Sequence, residues 1–209
     1  MKKLVVISLA SLLTLSIFGC AKPEPKPSET VSKVLDLMKT DIQADFTPYF
    51  NGEFNNDELV PASEDEESEF AKKMETLLID LYTDFDYRVL GETISEDKKT
   101  ATVEVEFTTY DLGTFFVGFI TQFIAKAFEL AFSGKSEDEL NQAGIDLLET
   151  LSADLKKDKI SVVTATLTSV NGVWLLDGGE NVNKPFFNGL TGGLVESLEK
   201  WAESFEESE

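Results

Sequence analysis

Phe85-Asp86-Tyr87-Arg88-Val89 and Ala101-Thr102-Val103-Glu104-Val105-Glu106-Phe107-Thr108-Thr109 place apolar and polar residues at alternate positions. A strand turns successive side chains to opposite faces. Phe85, Tyr87 and Val89, like Ala101, Val103, Val105 and Phe107, are therefore expected on a buried side, with Asp86, Arg88, Glu104 and Glu106 on a wet one. Asp97-Lys98-Lys99 lies between them as a polar turn, which predicts an antiparallel pair. A second pair follows. Ile160 to Val170 is β-branched and Thr-rich, Asn171-Gly172 is a two-residue hairpin signal, and Val173 to Leu176 is the return strand, closed by Asp177-Gly178-Gly179.

Around these strands the apolar period is helical. Val31, Val34, Leu35, Met38 and Ile42 form one face, with Ser28 placed to cap it and Pro48 to end it. Asn51 to Pro61 reads as a polar loop. Ser63-Glu64-Asp65-Glu66 has the spacing of a capping box, followed by Phe70, Met74, Leu77, Leu78 and Leu81 on a second helix. Leu112 to Phe132 is apolar nearly all round and carries Phe115, Phe116, Phe119, Phe123, Phe128 and Phe132, broken only by Lys126 and Glu129 at i, i+3. A buried core helix is the expectation; a surface that meets a partner or lipid, and a membrane span, are the alternatives. Ser133-Gly134-Lys135-Ser136 ends like a P-loop, but Glu129 stands where the first Gly belongs. Gly134 instead ends one helix, and Ser136-Glu137-Asp138-Glu139 opens the next, which carries Leu140, Ala143, Leu147, Leu148, Leu151 and Leu155. A last helix holds Phe186, Phe187, Leu190, Leu194, Val195, Leu198, Trp201 and Phe205, its first half interrupted by Gly189, Gly192 and Gly193. The whole predicts one α+β domain over 29–209 with a helical pair inserted near 112–156.

The N-terminus reads as an export signal. Lys2 and Lys3 precede the uncharged run Leu4 to Phe18, short for a bilayer span of about 20 residues. Ile17-Phe18-Gly19-Cys20 resembles the lipobox of bacterial lipoproteins, which implies cleavage between Gly19 and Cys20, a signal peptide over 1–19, and a diacylglycerol on the Cys20 sulfur. Two acyl chains anchor stably where one does not. Pro23, Pro25 and Pro27 make 20–28 an extended tether, whose residues from Ala21 to Ser28 reach roughly 25 Å at about 3.1 Å per residue. The expected place is the extracytoplasmic face of the cell membrane.

Composition narrows the chemistry. The chain has 209 residues, 18 Lys+Arg against 39 Asp+Glu, no His and one Cys, with a net charge of −21. Without His there is no imidazole base and no His-ligated metal site. A lone Cys makes no internal disulfide. So negative a chain is a poor partner for nucleic acid, and cationic partners such as basic peptides or basic faces of envelope proteins would be steered to it.

The opening helix with Thr30, Val31 and Leu35, the segment Asp84 to Val89, the strand Ala101 to Val105, and Asn171-Gly172-Val173-Trp174 together resemble the nuclear-transport-factor-2-like fold. That fold implies a curved antiparallel sheet wrapped on helices into a cone with a cavity. Thr109-Tyr110-Asp111-Leu112, the Phe-rich helix and Ala131 to Ser136 are similar to a family of Gram-positive-type bacterial lipoproteins with that fold and this extra helical pair. The resemblance implies a fold and a location, and it supplies no catalytic residues. The insertion is expected to fill or cover the cavity.

Chemistry is thinly supported. The fold includes isomerases that pair an Asp base with a Tyr donor, and Tyr110-Asp111 is the nearest local pair, but neighbours on a strand face opposite ways. Tyr110 is read instead as a strand-end aromatic and Asp111 as a helix cap. Asp177, Glu180, Asn181 and Asn183, in a glycine loop, are weak calcium candidates, since hard cations take clustered oxygens. No cofactor is indicated. The expectation is a non-catalytic binding or interaction module on a lipid anchor; the alternative is a small-molecule carrier or isomerase-type enzyme that uses the cone.

Overall fold

The computed structural model describes residues 25–52, 54, 68–178 and 182–206. Phe50–Asn51 (β1), Asp86–Ile94 (β2), Thr100–Tyr110 (β3), Lys157–Val170 (β4) and Val173–Asp177 (β5) form one open sheet in the order β1-β5-β4-β3-β2. The β2–β3, β3–β4 and β4–β5 pairs are antiparallel, as the sequence predicts. The sheet is nonetheless mixed, because β1 lies parallel to β5, pairing Phe50 with Leu176. That corrects the expectation of a wholly antiparallel sheet: the stretch after Pro48, read as loop, contributes an edge strand too short to show a period. Asn171 and Gly172 take φ of 53° and 80°, the left-handed pair that a tight hairpin turn needs.

Alternation along β3 becomes burial. Ala101, Val103, Val105, Phe107 and Thr109 are buried, and the residues between them are exposed or half-buried. In β2 the alternation is interrupted. Val89 pairs with Val105 and Gly91 with Glu104, so Leu90 is an extra, bulged residue that turns outward. Past the bulge the faces of β2 are exchanged, which brings Glu92 to the helix side, where its Oε2 accepts the Ser28 N–H at 3.0 Å.

That bond sits at the start of Pro27–Thr40 (α1). The capping residue is Lys26, with Pro27 in the first turn, so Ser28, expected as the cap, lies inside the helix. α1 packs across β2, β3 and β5 with Val31, Val34, Leu35 and Met38 buried. Phe46, Phe85, Phe107 and Phe186 complete this core, each fully buried. Phe85 meets Phe107 edge-on at 6.0 Å, and Phe107 meets Phe186 at 5.4 Å, the geometry that ring quadrupoles favour.

Helices also form a second core. Glu69–Thr83 (α2), Leu112–Phe132 (α3) and Glu137–Ser152 (α4) meet around Phe115, Phe119 and Leu148, with Phe70, Met74, Leu77 and Leu151 packed alongside. Phe70 stacks on Phe123 at 5.3 Å over Gly144, where an added Cβ would stand 2.8 Å from the Phe70 ring. Ser68 caps α2 by accepting the Ala71 N–H; the expected capping box at 63–66 lies outside the described residues. Ser136 and Glu139 form the expected reciprocal box at the start of α4. The α3–α4 pair thus occupies the β3–β4 connection where the sequence placed it.

The expectation of a buried α3 is corrected. Only Leu112, Gly113, Phe115 and Phe119 are buried, and just 11% of its most apolar stretch is covered. Helices on one side cover Phe115, Phe119 and Phe123, and nothing among the described residues covers the other. The last helix is also two: Lys184–Leu190 (α5) packs on β4, and Leu194–Glu206 (α6) packs on α3. Gly192 and Gly193, at φ of 58° and 84°, make the break.

Phe186 and Phe132 are both aromatic and both helical, yet only the first is enclosed. Phe186→Ala is expected to lower unfolding stability by about 3–5 kcal/mol, and Phe132→Ala by no more than about 0.5 kcal/mol, read by urea denaturation of the two variants.

Candidate functional site

The densest polar cluster stands where the sheet passes into the helices. Lys157 opens β4 and Tyr110 closes β3, paired in register across a local irregularity. The Lys157 ammonium bonds Asp84 Oδ1 at 2.7 Å and lies 3.1 Å from Asp86 Oδ2, and the Tyr110 hydroxyl donates to Asp84 Oδ2 at 2.7 Å. These two hydrogen bonds hold the Asp84 carboxyl below its ordinary range, the Lys157 bond first. The same contacts raise Lys157 and Tyr110. Every group here already has its partner, and the chemistry is that of a clasp joining the α2–β2 corner to the β3–β4 pair.

A second cluster lies one residue further on. Asp111 caps α3 by accepting the Thr114 N–H at 3.2 Å. Lys159 donates to Asp111 Oδ1 at 2.8 Å and to the Gly192 carbonyl at 2.9 Å. Burial pushes the Asp111 carboxyl up, but the Lys159 and Thr114 bonds outweigh it and hold the group low. Gly192 presses on β3 so closely that a Cβ there would come within 1.8 Å of the Tyr110 carbonyl oxygen. Beside it the buried Thr109 hydroxyl finds no hydrogen-bond partner among the described residues. Tyr110 and Asp111 are thus the strand-end aromatic and the helix cap that the sequence suggests. They belong to two clusters rather than to one pocket.

Among the described residues, the helix-covered face of the sheet, where a cone would hold its cavity, is packed. Val31, Leu35, Phe46, Val103, Phe107, Leu167, Leu176 and Phe186 are each at most 1% exposed there. A shallow groove of about 370 Å³ runs instead along the outside, between α1 and β2, lined by Ser28, Glu29, Ser32, Lys33, Asp36 and Val89. At its side Tyr87 donates to Asp36 Oδ1 at 2.7 Å, and desolvation followed by that carboxylate keeps the phenol protonated above its ordinary pKa.

Of the calcium candidates, Asp177 and Asn183 lie among the described residues, and each has protein partners. Asn183 is buried, and its Oδ1 accepts the Thr166 N–H at 2.7 Å while its Nδ2 donates to the Thr166 and Asp177 carbonyls at 3.0 and 2.8 Å. The side-chain amide thereby extends the β4 ladder just past the end of β5, a role sequence reading missed because it depends on where β5 stops. Asp177 Oδ1 accepts from Asn51 Nδ2 at 3.2 Å. Glu180 and Asn181 lie outside the described residues, as do Gly19 and Cys20. Among the described residues no three His, Cys, Asp or Glu are grouped to hold a metal ion.

Asp84 and Asp111 both sit below the ordinary carboxylate range, so the stability they add is present above the unfolded-state pKa and is lost as pH falls through the folded one. Asp84 is half exposed, so solvent screening keeps its share below about 1 kcal/mol. Asp84→Asn is expected to cost that much at neutral pH and progressively less as pH falls below the ordinary carboxylate range, flattening the acid limb of the stability profile measured by urea denaturation across pH.

Comparison with family models, with curated proteins and with solved structures found no match to this chain.

Proposed function

We propose that the chain is a lipid-anchored domain on the extracytoplasmic face of a cell membrane, with a nuclear-transport-factor-2-like fold and a non-catalytic binding role. The observation that carries the binding role is the filled sheet face. Interlocked Phe85, Phe107 and Phe186 occupy the space in which a carrier or an isomerase would hold its substrate. A packed interior of this kind leaves a protein its outer surface with which to meet other molecules. Supporting the fold are the long N-terminal helix laid across the sheet, the three antiparallel pairs and the hairpin with Trp174 just after its bend. Supporting the anchor are the uncharged leader, the lone Cys at its end and a first described helix that begins at Pro27.

Anchoring and folding are separable in this arrangement, because Cys20 precedes every described element in sequence. Cys20→Ser is expected to abolish incorporation of radiolabelled palmitate and to move the protein out of the membrane fraction, with an unchanged far-ultraviolet circular dichroism spectrum. Labelling that survives the substitution refutes the anchor.

A further inference from the structure

The apolar side of α3 that no described residue covers is concentrated at its C-terminal end. Ile124, Phe128 and Phe132 are 39%, 62% and 90% exposed. Helical spacing puts Val117, Thr121 and Ala125 on the same side, so the stripe has no charged residue in a chain of net charge −21. Acids stand next to it. Lys126 pairs with Glu129, and Lys135 with Glu139, while Glu137 and Asp138, in the first turn of α4 that follows the loop after Phe132, form no ion pair among the described residues. Large apolar groups beside unneutralised acids mark a surface made to meet something both greasy and basic.

Position and charge select among occupants. α3 departs from the Tyr110 end of the sheet. The tether enters at the other end, where Ser28 meets Glu92 and the Thr30 hydroxyl donates to the Trp174 carbonyl at 2.9 Å, beside the turn at Asn171-Gly172. The anchored bilayer is therefore met by the opposite end of the sheet, and an anionic leaflet would repel the acids around the stripe. A second copy would set Glu137 and Asp138 against their own like. A helix with Lys or Arg beside an apolar face satisfies both features at once.

We propose that the tip of the α3–α4 hairpin docks a basic amphipathic helical segment of another envelope protein, its apolar side on Phe128 and Phe132 and its cations on Glu137 and Asp138. This rests on the reading of the chain as a binding module and names the surface that binds.

The probe is a fluorescent Leu/Lys amphipathic helix, titrated by anisotropy against the chain in phosphatidylcholine nanodiscs with empty nanodiscs as blank. Phe128→Ser/Phe132→Ser is expected to weaken binding at least about tenfold, as truncation of central aromatic anchors does. Glu137→Gln/Asp138→Asn should weaken it severalfold and reduce its salt dependence. Both variants should melt as the parent does. Four results overturn the proposal: no peptide binding, equal binding by the Phe variant, quenching of a Phe132→Trp variant by brominated phosphatidylcholine in the nanodisc, or parent dimers in sedimentation that the Phe variant dissolves. The Cys20→Ser chain is titrated in parallel, free in solution. Tip-dependent binding there with palmitate labelling absent from the parent removes the anchor alone; labelling with no tip-dependent binding removes the docking site alone.

Discussion

The contact between Gly192 and the Tyr110 carbonyl is the constraint on which the rest of the fold depends. With a Cβ 1.8 Å from that oxygen, no other residue fits without pushing the 191–193 turn off the sheet. The turn is where the chain stops covering the sheet as α5 and starts covering α3 as α6. Lys159 fixes it by reaching both the Gly192 carbonyl and the Asp111 carboxylate, which itself caps α3. Strand end, helix start and inter-helix turn are thus held by one ammonium and one close backbone approach. Left-handed backbone at Gly192 and Gly193 follows from the same requirement.

Two cores meet across that junction. The sheet core is built from side chains that interlock at or near zero exposure, and the helical core from rings stacked with one side open. The difference follows from what faces what. α1, α5 and the sheet enclose Phe107 from several directions, whereas α3 carries more apolar surface than α2, α4 and α6 together cover. An all-round apolar helix in a structure with too few neighbours must leave some of that surface to solvent or to a partner.

Much of this was legible in the residues, and what was not has physical causes. The β3 alternation, the Asn171-Gly172 turn, the Ser136 capping box and the Asp111 cap each rest on local chemistry spanning a few residues, and each stands where the sequence put it. β1 could not be read, since Phe50–Asn51 is too short for any period and forms only because β5 offers an edge. The bulge at Leu90 is fixed by register against Val105 and Glu104, which belong to another strand. The apolarity of α3 was plain, but composition does not say which side a neighbour will cover. Asn183 in a glycine loop resembles a ligand until the unpaired backbone of Thr166 appears beside it.

The β3–β4 connection has one more consequence. Tyr110 and Lys157 are register partners, so the whole of 111–156 leaves and re-enters the ladder at neighbouring points. Topologically the excursion is detachable: a short turn could bridge the two strands and leave a plain meander. Energetically it is not, because Phe70, Met74 and Leu77 of α2 would be stripped of their cover. Such an element can be reshaped at its far end while its root stays fixed, which lets the outermost turns of the hairpin set what they meet without disturbing the sheet.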